Sequence, residues 1–176
     1  MSSCLIDRIA LLLLLLAPAG MLACRSFPGV PGPTRDEAVT LEEVMDRGDD
    51  QRRASNHLVD QGLEADQLAD AGRALDRYEL ALQLDPGNPW VYLALARHEL
   101  DRHEPRRALA SLDRCRTLLE RRGEISPRVE THLIGLRGSA LAALGRDAEA
   151  RPLLAEARRR APSVWDDGRL AAEELR

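Results

Sequence analysis

The sequence predicts an all-α fold, a short helical solenoid of about three helix-turn-helix repeats followed by a C-terminal capping helix. Apolar residues make up 44% of the 176 residues, whereas aromatic residues make up only 3%. Alanine and leucine dominate the apolar set, which favours close helix packing over a β-sandwich. Similar residues also recur 34 positions apart, as in Ala74 and Ala108 or Tyr78 and Leu112. A period of this length is typical of stacked helical hairpins.

The chain begins with an apolar run over residues 9–17, which Pro18 and Gly20 interrupt. A transmembrane helix needs about 20 predominantly apolar residues, so this run is short for a span. Its length suits the hydrophobic region of a signal peptide. We therefore expect residues 1–23 to be a signal peptide.

The end of that segment, "MLAC" at residues 21–24, resembles the lipobox of bacterial lipoproteins. The resemblance implies cleavage before Cys24, a diacylglycerol on its sulfur and acylation of the new amino terminus. Arg25 stands where many inner-membrane lipoproteins have aspartate, so the resemblance implies a lipid-anchored protein of the outer membrane that faces the periplasm. Two alternatives stay open: ordinary signal peptidase could cleave before Gly20 and release a soluble protein, or the segment could remain as an uncleaved anchor.

Residues 24–39 are predicted to form a tether, because they are rich in proline and glycine, which disfavour helices and strands. Residues 40–54 are predicted to form a short helix and a lead-in to the repeats. Thr40 and Glu43 have the spacing of a capping box, and the helix is expected to extend to Arg47.

Three segments, residues 55–88, 89–122 and 123–164, resemble tetratricopeptide repeats. "RALDRYELALQLDPGN" has the small, aromatic, small and proline positions of that family's second helix, and the next two segments repeat the scheme. The third segment is longer, and residues 165–176 are expected to form a polar capping helix. The resemblance assigns repeat packing to Ala74, Tyr78, Ala81, Tyr92, Ala96, Ala108, Leu112, Cys115, Gly138, Ala150, Leu154 and Ala157.

The family resemblance also implies a concave groove, lined by the first helix of each repeat, that binds a peptide or helix of a partner protein. The groove positions are Trp90, Leu93, Arg97, Leu100, Asp101 and His132, flanked by Val59 and Leu63. Some family members hold carboxyl termini with lysines and asparagines, but this chain has no lysine.

No pattern in the sequence indicates catalysis. "HELDRH" separates its histidines by five residues, whereas a helical zinc site needs four, so we predict no metal site. Cys115 has no catalytic partner nearby in sequence, and we expect no cofactor and no small-molecule substrate. The net charge of −4 gives no reason to expect nucleic acid as a partner.

The prediction is a non-enzymatic adaptor, anchored by lipid in the bacterial cell envelope, that binds a protein there. A soluble periplasmic binding module is the alternative.

Overall fold

The computed structural model describes residues 38–176. The predicted signal peptide over residues 1–23, the lipidation of Cys24 and nearly all of the predicted tether over residues 24–39 lie outside the described residues. They stay predictions.

The described residues form helices and connecting turns, with no strand among them. A short 3-10 helix over Glu42–Val44 comes first. The main helices are α1 (Asp50–Gln67), α2 (Ala71–Leu84), α3 (Pro89–Asp101), α4 (Pro105–Arg122), α5 (Pro127–Ala143) and α6 (Asp147–Arg160), and two single turns follow, α7 (Pro162–Trp165) and α8 (Ala172–Leu175).

The six main helices form three hairpins, α1–α2, α3–α4 and α5–α6. The first helices also pack against one another, α1 on α3 and α3 on α5, so they make a continuous inner layer. The predicted all-α stack of helical hairpins is therefore confirmed.

Local sequence signals set where the helices begin. The side chains of Asp49, Asp70, Asn88 and Ser126 each accept a hydrogen bond from a backbone N–H in the first turn of the helix that follows. Proline occupies the first position of α3, α4 and α5, where its missing N–H costs nothing. These signals fix the register of the hairpins.

Small residues allow the two helices of a hairpin to approach closely. A Cβ atom added at Gly62 would lie 2.3 Å from Cε1 of Tyr78, and one added at Gly138 would lie 2.9 Å from Cγ of Leu154. Most of the predicted packing residues are buried, whereas Tyr92 and Leu154 are half-buried. The buried members are Ala74, Tyr78, Ala81, Ala96, Ala108, Leu112, Cys115, Gly138, Ala150 and Ala157.

The two ends of the described chain differ from the sequence prediction. The helix expected from Thr40 to Arg47 is reduced to one 3-10 turn, although the Thr40 N–H does donate to Oε1 of Glu43 at 3.3 Å. The single helix expected over residues 165–176 is divided by the segment from 166 to 171, which is not helical. Both ends bury apolar side chains instead of presenting polar surfaces, because they fold onto the inner layer of helices.

No helix in the described part of the chain combines the length and the apolar character that a membrane span requires.

Candidate functional site

The inner face is the side of α1, α3 and α5 that two segments of the chain, residues 38–45 and 162–176, cover. Its members are Asn56 and Asp60 on α1, Trp90 and Arg97 on α3, and Arg128, His132, Gly135 and Ser139 on α5; each contacts a terminal segment or borders a cavity with one.

The structure places the predicted groove residues on these first helices, but most of them are buried. Trp90 is 7% exposed and His132 is fully buried. Leu93, Arg97, Val59 and Leu63 are buried as well, Leu100 is half-buried and Asp101 is exposed. A partner could touch most of these side chains only if whatever covers them moved away, so their role in partner binding stays a prediction.

The first cover is an N-terminal strap, residues 38–45. Its aliphatic side chains Val39, Leu41 and Val44 are all buried. The Nε2–H of His132 donates to the Val39 carbonyl at 2.7 Å, and the side-chain amide of Asn56 donates to the Val44 carbonyl at 3.0 Å. The strap is thus held by its backbone carbonyls as well as by apolar contact, which is how a groove holds an extended peptide.

A charge pair fixes the same strap to α5. Arg128 donates to both carboxylate oxygens of Glu43, at 2.6 and 2.7 Å, and also to the Ala38 carbonyl at 2.8 Å. The hydrogen bonds from Arg128 hold the pKa of Glu43 below its usual range. The Glu43–Arg128 pair therefore gives the strap an orientation that the aliphatic contacts alone would not specify.

The second cover is the C-terminal segment, residues 162–176. The Trp165 ring lies so close to α5 that a Cβ added at Gly135 would approach three ring atoms to 2.3–2.5 Å. Further along, the Ser139 hydroxyl donates to the Gly168 carbonyl at 2.9 Å, and Arg176 pairs with Asp60 at 2.7 Å. Glycine at position 135 is needed because the indole occupies the space of a side chain.

The strap and the C-terminal segment meet on the inner face. The Leu41 N–H donates to the Leu175 carbonyl at 2.8 Å, and the Glu42 N–H donates to the Arg176 carbonyl at 3.1 Å. Cavities remain on the inner face, one beside the strap and one beside the C-terminal segment. One, of about 540 Å³, is bordered by Trp90, the strap and the connection between α4 and α5. The other, of about 450 Å³, lies among α3, α5, α6 and residues 167–170.

His132 lies where both covers reach α5. Burial lowers the pKa of its imidazole to about 4, so the ring is neutral at pH 7. Because Nε2 carries the proton donated to Val39, Nδ1 is left as an acceptor, and no described residue donates to it. The Trp165 ring centroid is 6.3 Å away.

A buried ionic cluster joins the first two hairpins beside the inner face. Asp66 accepts from the Tyr78 hydroxyl at 2.8 Å, lies 2.8 Å from Nδ1 of His98, and pairs with the Arg97 guanidinium. Arg97 also pairs with Asp101 at 2.7 Å. Burial alone would raise the pKa of Asp66, but the hydrogen bond with His98 and the charge of Arg97 outweigh it, and the pKa is lowered. The predicted groove residue Arg97 is therefore already engaged within the chain.

The described residues provide no arrangement suited to metal binding: no group of three or more histidine, cysteine, aspartate or glutamate side chains is placed to hold an ion. Cys115 is buried, and that burial raises the pKa of its thiol to about 12. A nucleophilic thiolate is therefore negligibly populated at neutral pH.

Comparison with known families identifies the repeats. The family model described as "Tetratricopeptide repeat" matches residues 62–117, from within α1 to within α4. Residues 62–117 therefore contain tetratricopeptide repeats. No curated protein and no solved structure matches the chain. A tetratricopeptide repeat is typically a non-enzymatic module for protein–protein interaction, so the repeats point to a protein partner.

Of the inner-face residues, sequence reasoning named only Trp90, Arg97 and His132, which lie on α3 and α5, and it missed the segments that cover the face. The signal for the strap is three aliphatic residues at 39, 41 and 44, which "AVTLEEV" contains. The signal for the C-terminal cover is Trp165 followed by Leu170 and Leu175, in a stretch whose remaining residues are mostly polar.

Proposed function

We propose that this tetratricopeptide repeat protein is an adaptor anchored by lipid in the bacterial cell envelope, and that its inner face binds a peptide or helix of a protein partner. The observation that supports binding is the continuous layer formed by α1, α3 and α5, because the layer offers one surface across all three repeats. The observation that supports anchoring is the resemblance of residues 21–24 to a lipobox.

The chemistry of the inner face favours a protein segment as its occupant. The face already accommodates aliphatic side chains, two backbone carbonyls that accept from Asn56 and His132, and one carboxylate on Arg128. An amphipathic partner segment presents the same groups. A tetratricopeptide repeat is typically a non-enzymatic interaction module, which supports binding and not catalysis.

Site-directed photo-crosslinking in the native host tests the binding role. A photoreactive residue is placed at Ile125, which is half-buried beside the 540 Å³ cavity, and the matched control carries it at Leu84, which is 40% exposed on α2. We expect a discrete crosslinked protein from position 125 and not from position 84. Equal crosslinking at both positions, or none at position 125, would contradict binding at the inner face.

Intact mass spectrometry of the membrane fraction tests the anchor. We expect a chain that begins at Cys24 and carries three acyl groups, and we expect Cys24→Ser to remove both the acylation and the membrane association. An unmodified chain that begins at Gly20 would support the soluble periplasmic alternative instead.

A further inference from the structure

We propose that the N-terminal strap, residues 38–45, is a displaceable intramolecular ligand of the inner face. A partner segment with the same arrangement would compete with it: aliphatic residues at relative positions 1, 3 and 6, with an acidic residue at position 5. The existence of such a partner rests on the proposed function, whereas occupation of the face by the strap does not.

The strap is bound in the manner of a separate peptide. Residues 39 and 40 have no regular secondary structure, and in the one 3-10 turn that follows Val44 N–H donates to the Leu41 carbonyl at 2.9 Å and Met45 N–H to the Glu42 carbonyl at 3.4 Å. Most other bonds of the strap go outward, to Asn56 on α1, to Arg128 and His132 on α5, and to the carbonyl groups of the C-terminal segment. A segment with this pattern is ordered by the surface that it covers.

The strap is also separable from the repeats. Residues 46–49 connect it to α1, and Gly48 in that connection has a φ of +91°, a conformation that glycine adopts without strain. The first turn of α1 is capped from within, because Asp49 accepts from the Arg52 N–H at 2.8 Å. The strap can therefore leave the inner face while α1 keeps its own beginning.

Displacement would expose a surface with a defined specificity. Removing the strap would uncover the hydrogen-bonding groups of Asn56 and His132 and release the Arg128 guanidinium from Glu43, at the border of the 540 Å³ cavity. Arg128 would then select for a carboxylate at the position that Glu43 now occupies. Charge complementarity is thus the part of the recognition that can be reversed by substitution.

To test the proposal, charged residues are reversed in the full chain, and the affinity of each variant for a labelled strap peptide is measured. The probe is a fluorescent peptide with the sequence of residues 36–47, and its affinity is measured by fluorescence anisotropy. In the unsubstituted protein the strap competes from within the same chain, at an effective concentration of about a millimolar. Glu43→Arg places two arginines together and opens the strap, while the peptide still carries its glutamate. We expect this variant to bind the peptide at least about tenfold more tightly than the unsubstituted protein does.

Two matched arms show whether the peptide occupies the place of the strap. Arg128→Glu also opens the strap, but we expect it to bind only a charge-reversed peptide that has arginine in place of Glu43. The double variant Glu43→Arg/Arg128→Glu restores the pair, so we expect both peptides to bind it weakly again. Equal affinity across the variants, or affinity that ignores the peptide charge, overturns the proposal.

Hydrogen exchange of the unsubstituted protein covers the case in which a variant fails to fold. The amides of Leu41 and Glu42, which bond to the C-terminal segment, are expected to exchange faster than the core amides of α3 and α5. Exchange only at the rate of global unfolding would make the strap part of the core and refute its displacement. If the peptide competes as expected but crosslinking captures no partner, the strap mechanism stands and the adaptor role fails.

Discussion

The two segments that cover the inner face are attached by different means. The C-terminal segment inserts Trp165, a fully buried side chain, against Gly135 of α5. The strap buries three aliphatic side chains and otherwise relies on hydrogen bonds and on the Glu43–Arg128 pair, whose side chains are each 35% exposed. One cover is interlocked with the repeats, and the other rests on their surface.

This difference assigns separate roles to the two ends. A large aromatic ring in a site with no spare volume contributes to stability and leaves no alternative position for the segment. A strap held by three aliphatic side chains and a partly exposed charge pair can open at a lower free-energy cost than the interlocked segment, as functional segments of proteins commonly do. The comparison predicts that substitutions in the C-terminal segment act on the whole fold, whereas substitutions in the strap act locally.

Breaking the interlock should produce the largest effect. We expect Trp165→Ala to lower the free energy of unfolding by about 3–5 kcal/mol through a cavity, and Gly135→Ala to lower it by about 1–3 kcal/mol or more through a steric clash. Urea denaturation followed by circular dichroism measures both. The matched control is Gly72→Ala on α2, where the nearest atom to an added Cβ is 3.9 Å away, and we expect no loss of stability there. A loss below about 1 kcal/mol for Gly135→Ala would contradict the interlock.

Acidification should have the next largest effect, through His132, which contacts both covers. The pKa of its side chain is about 6.5 in the unfolded chain and about 4 in the folded chain. Between these values the unfolded state binds a proton that the folded state does not, so the free energy of unfolding falls as the pH falls from about 6.5 to 4. We expect a loss of about 3 kcal/mol over this range.

The variant His132→Gln isolates this contribution. Glutamine can still donate to the Val39 carbonyl but does not titrate, whereas acidic groups such as Asp66 titrate equally in both proteins. We therefore expect the free energy of unfolding of His132→Gln to fall less steeply with pH below 6.5 than that of the unsubstituted protein. Parallel pH profiles for the two proteins would show that His132 is accessible to protons in the folded state.

The hairpins could be predicted from the sequence because their determinants are local or recur at a fixed spacing. Ser126 followed by Pro127 indicates the start of α5. The small residues Ala74 on α2 and Ala108 on α4 each indicate where the two helices of their own hairpin meet. Such signals need no knowledge of distant residues. The family match over residues 62–117 covers the part of the chain where they are clearest.

The covering of the inner face could not be predicted in the same way, because it depends on contacts between residues far apart in sequence. Val39 contacts His132, and Leu41 contacts Leu175, across most of the described chain. In the sequence, "VTLEEV" contains a capping-box spacing that predicts a short helix extending to Arg47. The inner face instead offers three apolar sites and an arginine, and these contacts override the local preference for a longer helix.

Shortening the apolar side chains of the strap should lower the free energy of unfolding by less. The total loss should also reach a limit, because the strap can open only once. We expect Leu41→Ala to lower the free energy of unfolding by about 2 kcal/mol, the low end for a buried leucine, because the strap opens before the hairpins unfold. Once the strap is open, a second truncation has little left to remove. The double variant Leu41→Ala/Val44→Ala should therefore lose less than about 0.5 kcal/mol more.

The corresponding pair in the C-terminal segment serves as the control. Trp165→Ala and Leu175→Ala remove side chains from a segment that stays attached until the fold is lost, so we expect their losses of stability to add. Equilibrium denaturation of the two single variants and the double variant measures this. Additive losses in the strap as well would mean that both covers belong to one cooperative unit.

The smallest expected effect concerns the ion pair at the end of the C-terminal segment. Arg176 donates to both carboxylate oxygens of Asp60, at 2.7 and 3.3 Å, but the two side chains remain 37% and 28% exposed. We expect Asp60→Asn to cost less than about 1 kcal/mol at low salt, and less still in 1 M salt, because partly exposed pairs are screened.

The matched control is Asp113→Asn, which removes a more exposed pair with Arg137 between α4 and α5. A cost above about 2 kcal/mol for Asp60→Asn alone would mean that this pair holds the C-terminal segment in place. The contrast between an interlocked cover and a surface-held one would then no longer apply.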